Sequence, residues 1–148
     1  MSYAAIGGNA VRVGANAAVT YTAKGAEVRA VKANTDTYVH IGVPSPADAT
    51  DILGNFWISC SGKKDVAYAT EVSIYYGDQS IEDKRLPTNP YGDIKEDVSN
   101  NASDFDVHMS LPLGINITVK LSFVDTTTAF TINSHVRQIS SNAADSWP

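Results

Sequence analysis

Hydrophobic and polar residues alternate two by two along most of this chain, and they almost never recur at helical spacing. The clearest example is residues 115–123, where Ile, Asn, Ile, Thr, Val, Lys, Leu, Ser and Phe follow one another in strict alternation. Successive side chains of a strand point to opposite faces, so this segment has one buried and one solvated face. The pattern therefore predicts an antiparallel all-β domain.

The same period, broken by turn residues, predicts nine or ten strands. Their number and spacing are typical of a two-sheet β-sandwich, with a jelly roll as the preferred topology. A hairpin is predicted around Lys24-Gly25, and Pro44-Ser45-Pro46 ends one strand because proline cannot donate to a ladder. The main strands are predicted at residues 19–22, 27–32, 37–43, 51–61, 67–76, 79–86, 103–111, 115–124 and 129–139.

A chain of 148 residues is expected to form one domain over residues 1–148. An N-terminal arm is predicted at residues 1–9 and a polar tail at 140–148. Residues 87–102 form a long acidic loop, in which Ile94 and Val98 would support one helical turn. Long loops often carry function, which makes this segment the first place to look for a ligand site.

Composition narrows the classes of function. Apolar residues make up 43% and charged residues 18%, a profile of a folded rather than disordered chain. The net charge of −5 makes nucleic acid an unexpected partner. No apolar run approaches the roughly 20 residues of a membrane span, and the N-terminus lacks the features of a secretory signal. We expect a cytoplasmic protein, or one exported without a cleavable signal.

The single cysteine, Cys60, shares the phase of Phe56 and Ile58 along one predicted strand. Free cysteine is among the most frequently buried residues, whereas a reactive thiol needs nearby cations or a helix N-terminus. We therefore interpret Cys60 as a small core residue.

Two groups of residues could hold a metal ion. Asp104, Asp106 and His108 alternate along one strand and share a face, where carboxylates and imidazole could ligate a metal; a solvated outer face is the favoured alternative. Calcium would suit the oxygen-rich loop, although its spacing does not match an EF-hand and solvation of the loop would explain the same residues. The loop oxygens belong to Asp93, Glu96, Asp97, Asn100 and Asn101.

Trp57, Tyr75 and Tyr91 are candidate stacking platforms for sugar rings. Trp57 and Tyr75 fall out of phase with the core residues of their strands, which indicates an exposed aromatic surface or packing in a subunit interface. In the strand predicted at 37–43, Tyr38 and His40 face the opposite way from the apolar Val39 and Ile41. His40 and His135 are lone histidines with no nucleophile nearby in sequence, and surface roles are favoured for both. No common catalytic motif is present.

Four segments together resemble a family of small bacterial single-domain all-β proteins of undefined function. They are Gly8–Val13, Tyr38–Pro46, Val72–Asp78 and Phe105–Val107. The resemblance implies a single β-sandwich domain and brings no catalytic residues with it.

The favoured function is a non-enzymatic, lectin-like binding module for a carbohydrate or other polar ligand, acting as a homo-oligomer. Its predicted contacts are Trp57, Tyr75, Tyr91, Asp93, Asn100 and Asn101. A structural protein that assembles through sheet edges or faces is the alternative, motivated by the long and unguarded strand 115–124. A third hypothesis is an enzyme with His40, Asp104, Asp106 and His108 in one pocket.

Overall fold

The structure is a computed structural model that describes residues 2–6, 10–43, 55–76, 79–97 and 115–140. Eleven strands occupy these ranges. In chain order they are β1 (Ser2–Ile6), β2 (Arg12–Val13), β3 (Ala17–Thr22), β4 (Gly25–Ala30), β5 (Thr35–Val43), β6 (Asn55–Ser61), β7 (Ala67–Tyr76), β8 (Gln79–Arg85), β9 (Ile94–Asp97), β10 (Ile115–Phe123) and β11 (Phe130–Ser140). The predicted strand at 103–111 lies outside the described residues.

The strands form two antiparallel sheets. One contains β3-β4-β11-β6-β9 in that order, with β1 also paired to β11, and the other contains β2-β5-β10-β7-β8. Among the described strands only β3–β4 and β7–β8 are consecutive strands paired within one sheet; every other connection leads to the opposite sheet. Repeated crossing between two sheets is the jelly-roll style of sandwich, so the predicted fold class is confirmed.

The core lies between the sheets and is built from the inward phase of each strand. Strand β10 alternates between buried and more exposed positions along its whole length, as its sequence pattern predicts. Burying a large apolar side chain contributes roughly 1.5–3 kcal/mol, so this strand is a major source of stability. The largest fully buried side chains are Phe56, Phe123, Phe130, Ile41, Ile58, Ile74, Ile115, Ile117, Leu121 and Ile132.

Strand β10 is not an edge strand. It pairs with β5 along one side, from Ile115 opposite Val43 to Phe123 opposite Thr35, and with β7 along the other. The expectation that this segment is an unguarded edge was therefore wrong, because alternation reports how a strand is buried but not which neighbours it has. This motive for the assembly hypothesis disappears with it, whereas its two other motives, the low charge content and the apolar Trp147 near the end of the sequence, are not affected.

The acidic segment after β8 also differs from expectation. Residues 94–97 form strand β9 rather than part of a helical turn, and they pair antiparallel with β6 from Ile94 opposite Ile58 to Asp97 opposite Asn55. Ile94 is buried in the core, which fixes the phase of the strand and turns Glu96 inward as well. The described part of the chain contains no helix long and apolar enough to cross a membrane.

The β3–β4 hairpin is where the sequence predicted it. Its turn ends at Gly25, whose φ of 148° is a conformation that L side chains rarely adopt. A Cβ at this position would collide with the backbone carbonyl of Ile132 on β11. Glycine is therefore required here both for the turn and for the close packing of β11 against β4.

Candidate functional site

The outer face of the five-stranded sheet carries an organised set of polar side chains. Outward residues line up in rows across the strands wherever the register is unbroken. The register shifts between Lys120 and Leu121 in the β10–β7 pairing and between Ile74 and Tyr75 in the β7–β8 pairing. One row consists of Arg12, His40, Thr118, Ser73 and Asp83, each directly opposite the next. We call the outward residues of this sheet the polar face.

The polar face is flat and partly tied together by its own contacts. Within the first row, the imidazole Nδ1 of His40 lies 3.1 Å from the hydroxyl of Thr118, and the hydroxyl of Ser73 donates to Asp83 at 3.0 Å. These bonds set the orientations of the His40 ring and the Asp83 carboxylate. The row therefore presents hydrogen-bonding groups that are held in place before any ligand arrives.

The neighbouring row contains Tyr38, Lys120, Glu71 and Arg85. The Lys120 ammonium lies 3.9 Å from carboxylate oxygens of both Glu71 and Asp36, and 5.9 Å from the centroid of the Tyr38 ring. Such partly exposed pairs contribute little to stability, but they hold the lysine beside the aromatic ring. Lys120 is thus the centre of a small network that flanks Tyr38.

Tyr38 and His40 form an aromatic pair on this face. Their ring centroids are 6.4 Å apart and their planes differ by 15°, because residues two apart on a strand point the same way. Tyr38 is 42% exposed, a large fraction for an aromatic side chain on an inner strand of a sheet. The next row beyond His40 adds Asn116 and Tyr75, which are opposite each other.

A second aromatic region lies on the other side of the sandwich. Trp57 is an outward residue of β6, and its indole Nε1 donates to Asp93 Oδ2 at 3.1 Å. The Lys95 ammonium, on the adjacent strand β9, lies 5.1 Å from the Trp57 ring centroid. One face of the indole is therefore occupied by a cation from the chain itself.

Asp93 also fastens the preceding loop to the sheet. Its Oδ1 accepts a hydrogen bond from the backbone N–H of Cys60 at 3.1 Å, while the Cys60 thiol donates to the carbonyl of Gly92 at 3.2 Å. Burial, together with the nearby negative charge of Asp93, raises the pKa of Cys60 to about 12. Cys60 is 2% exposed, as expected for a core residue.

The loop before Asp93 bridges the two sheets. The carbonyl of Tyr91 accepts from the Gly62 N–H at 2.7 Å, and the carbonyl of Pro90 accepts from the Ala69 N–H on β7 at 2.8 Å. These bonds hold the backbone in place and leave the Tyr91 side chain 46% exposed. Residues 90–93 therefore link the two sheets by backbone hydrogen bonds, and they are also a candidate ligand loop.

The structure separates the residues that the sequence grouped as ligand contacts. Trp57, Tyr91 and Asp93 belong to the β6–β9 region, whereas Tyr75 lies on the polar face of the opposite sheet. Both oxygens of Asp93 accept hydrogen bonds from the chain, so this carboxylate is more than a solvating charge. Asn100 and Asn101 lie outside the described residues.

The proposed metal ligands cannot be placed. Asp104, Asp106 and His108 lie outside the described residues, and the side chain of His135 is not described either. In the ranges that the structure covers, no three His, Cys, Asp or Glu side chains are grouped so that they could hold a metal ion. In the oxygen-rich loop, Glu96 is buried and paired with Lys84 at 3.1 Å. Calcium binding remains a prediction.

Sequence reasoning did not identify the polar face as a candidate site. It noted that Tyr38 and His40 share the polar phase of their strand, but it did not bring Thr118, Lys120 or Arg12 next to them. These neighbours come from strands far apart in sequence, and only the sheet order and register place them together. The one signal in the sequence that could have indicated this site is the presence of a tyrosine and a histidine, Tyr38 and His40, among the outward residues of one strand.

No protein-family model matches the sequence, and no curated protein matches it. Similar solved structures include the isomalto-dextranase of Arthrobacter globiformis T6 complexed with panose, with a TM-score of 0.50 and 12% identity over 93% of this chain and 23% of that one. This chain thus spans about a quarter of that enzyme's length.

Two further structures are similar at lower scores. A family 35 carbohydrate binding module from Clostridium thermocellum has a TM-score of 0.44 and 10% identity over 95% of this chain and 100% of that one. The xylanase 10B CBM22-1–GH10 modules of the same organism, complexed with xylohexaose, have a TM-score of 0.46 and 10% identity over 100% and 30%. The all-β two-sheet domain implied by the family resemblance is confirmed, and its fold is one that the isomalto-dextranase also contains.

Proposed function

We propose that this domain is a non-enzymatic carbohydrate-binding module that holds a glycan chain against its polar face. The observation that carries the proposal is the exposed Tyr38 ring on β5, one strand in from the short edge strand β2, paired with His40 and close to hydrogen-bonding side chains that are held in place. A tyrosine ring exposed in this way offers an apolar surface with a polar tip. A sugar ring presents a complementary C–H face edged by hydroxyl groups.

The dimensions of the face suit an extended chain. Four gaps of about 4.8 Å separate the five strands, so a row crosses about 19 Å of sheet. Hydroxyl, amide and imidazole groups recur at each strand along the central rows, in Asn116, Thr118, His40 and Ser73. A chain lying across the strands would meet a new hydrogen-bonding partner at every strand.

The charges of the face favour a sugar over a nucleic acid. Arg12, Lys120 and Arg85 are offset by three carboxylates, those of Asp36, Glu71 and Asp83, and the whole chain carries a net charge of −5. A phosphate backbone would find no continuous basic surface here. The isomalto-dextranase that shares the fold was solved with panose, which supports a ligand of the same class.

The test is binding to a panel of soluble polysaccharides, measured by affinity gel electrophoresis and then by calorimetry on those that retard the protein. Tyr38→Ala should weaken binding at least about tenfold, because aromatic anchors at the centre of an interface dominate its affinity. Val31→Ala is the control for the loss of an exposed apolar side chain, since Val31 is 60% exposed and directly follows β4 of the other sheet. Retained binding by Tyr38→Ala, or no binding to any polysaccharide, would contradict the proposal.

The other ligand contacts predicted from the sequence would bind the glycan in two separate regions of the domain. Tyr75, on the polar face, would extend the aromatic surface beyond Asn116. Trp57, Tyr91 and Asp93 would form a second contact region on the opposite side, to which Asn100 and Asn101 would add amide groups. Trp57→Ala, assayed in the same panel, separates the two regions, because it leaves the polar face intact.

We also propose that the protein forms a homo-oligomer. The strand through which two copies would associate is β3, not the segment 115–124 that the sequence suggested. Strand β3 ends the six-stranded sheet and contains no charged residue, whereas the edge strands β8 and β9 carry several. Strand β1, which among the described strands pairs only with β11, is uncharged too, but at five residues it is shorter than the six of β3. Charged residues are a common protection of sheet edges against pairing. The uncharged edge of β3 is therefore the favoured surface for association of two copies.

A further inference from the structure

Arg12 occupies an unusual position at one corner of the polar face. It lies directly opposite His40 and is exposed, and among the described residues no carboxylate lies within ion-pair distance of it. The carboxylates of this face are elsewhere: those of Asp36 and Glu71 are beside Lys120, and Asp83 is at the opposite end of the same row. Within the part of the chain that the structure describes, the corner therefore carries a cation without a counterion.

The groups around Arg12 are suited to an anion. Next to it are the His40 imidazole, whose Nδ1 is engaged with Thr118, and, one row away, the Tyr38 ring with Lys120 above it. A guanidinium presents a planar fork of donors that matches a carboxylate in two parallel hydrogen bonds. With Nδ1 of His40 engaged, its other ring nitrogen is left to bind a ligand.

We propose that the polar face selects a carboxylate-bearing glycan, with a uronate carboxylate bound at Arg12 and His40. The inference rests on the proposed function, since the sugar chain itself would be held by Tyr38 and the polar rows. It specifies what that function leaves open, namely that the ligand is an acidic rather than a neutral polysaccharide. It also specifies the orientation, with the charged substituent toward β2 rather than toward β8.

Arg85 provides an internal comparison. It lies on the same face at the opposite edge, but it is directly opposite Glu71 and two residues from Asp83. An incoming carboxylate would meet two negative charges there. Arg12→Gln and Arg85→Gln change the net charge of the protein by the same amount, so they separate recognition at the corner from a general electrostatic effect.

The experiment uses uronate-containing polysaccharides, each beside its own carboxyl-reduced form, in which the carboxylate has become a primary alcohol. Polygalacturonate, glucuronoxylan and alginate are suitable probes. At least one acidic polymer should bind the wild-type domain about tenfold more tightly than its reduced form. Arg12→Gln should abolish this preference, Arg85→Gln should keep it, and added salt should reduce it because exposed charges are screened.

Each other outcome has a distinct meaning. If acidic and reduced polymers bind equally and Tyr38→Ala weakens both, the carboxylate inference is wrong while the proposed function stands. If Arg12→Gln keeps the preference, or both arginine variants lose it equally, the corner is not the anion site and the inference fails. If no polymer binds in either form, the carboxylate inference fails, and the proposed function is then decided by the wider panel of polysaccharides.

Discussion

Cys60 illustrates how one buried residue joins the core to the candidate loop. Its side chain packs in phase with Phe56 and Ile58, its thiol donates to Gly92, and its backbone N–H donates to Asp93. Burial is the main reason for its high pKa, because a thiolate would lose its hydration there, and the Asp93 carboxylate adds repulsion. Cys60 is thus a structural residue despite lying beside a candidate ligand loop.

The thiol of Cys60 should be unreactive in the folded protein. At pH 8, labelling with a thiol reagent should be at least about 100-fold slower in the native protein than in urea, because both burial and the raised pKa suppress the thiolate. Native labelling as fast as in urea would contradict the burial described here.

The same shift in pKa has a consequence for stability. The pKa of Cys60 in the folded protein, about 12, lies above the ordinary value of 9.0 for a cysteine thiol, so the native state keeps its proton when the unfolded chain loses it. The contribution of this group to stability is therefore complete below pH 9 and declines as the pH rises toward 12. Comparing urea unfolding of the wild type and Cys60→Ala at several pH values isolates this decline from that of other groups.

At the scale of elements, an ion pair links the edge strands β8 and β9 across the two sheets. Glu96 Oε2 is 3.1 Å from Lys84 Nζ; the glutamate side chain is 9% exposed and the lysine 50%. Glu96 lines a crevice whose other lining residues are apolar, and the Lys84 ammonium is the ionic partner of its carboxylate. The crevice is lined by Phe56, Ile58, Val72, Ile74, Ile94 and Ile117.

Replacing Lys84 alone should lower the free energy of unfolding. Lys84→Met leaves the Glu96 carboxylate without its partner, and we expect a loss of about 1–2 kcal/mol in the free energy of unfolding, reduced from the usual value for buried pairs because Lys84 is half exposed. The double variant Lys84→Met/Glu96→Gln should regain most of the lost free energy of unfolding. Glu27→Gln, in an exposed pair, is the control and should change stability by under about 0.5 kcal/mol.

Urea unfolding of the wild type, Lys84→Met, Glu96→Gln and the double variant gives the coupling energy between the two side chains directly. If Lys84→Met is as stable as the wild type, the Glu96 carboxylate does not depend on the lysine. If the double variant is no better than Lys84→Met alone, the loss comes from the lysine stem rather than from the charge.

The elements also show where sequence reasoning succeeds and where it stops. Strand β10 was predicted within one residue, at 115–124 against Ile115–Phe123, because alternation is a local property of the chain. Its central place between β5 and β7 was missed, because pairing partners depend on the whole topology. Strand β9 was missed because Ile-Lys-Glu-Asp has too short a pattern, and only its pairing with β6 makes it a strand.

In the candidate site, too, the local pattern of one strand could be predicted and the pairing between strands could not. The outward phase of Tyr38 and His40 could be predicted, since it follows from the period of one strand. The row that joins His40 to Arg12 and Thr118 could not, because it depends on the register of three strands brought together from residues 12, 40 and 118. Local pattern therefore gives the composition of a face, and tertiary pairing gives its geometry.

At the scale of the whole molecule, the two sheets have different outer surfaces. The five-stranded sheet presents the polar face, while the six-stranded sheet ends in the uncharged edge β3, with exposed Ala18 and Thr20 and a partly exposed Tyr21. Because the edge and the polar face belong to different sheets, two copies paired through β3 would leave both polar faces open. Association would then raise the apparent affinity for a polymer by allowing two faces to bind one chain.

The mass in solution tests this arrangement. Light scattering behind size exclusion should give twice the 15.8 kDa of the chain, and Thr20→Lys should return it to the monomer because an edge lysine opposes pairing. Thr126→Lys, at an exposed loop position, is the control for added charge and should leave the dimer intact. On a soluble polysaccharide, the Thr20→Lys monomer should bind more weakly than the wild type although its polar face is unchanged. A monomeric wild-type protein, or a Thr20→Lys variant that still pairs, would place the association surface elsewhere or remove it, and would leave glycan binding by a single face as the function to test.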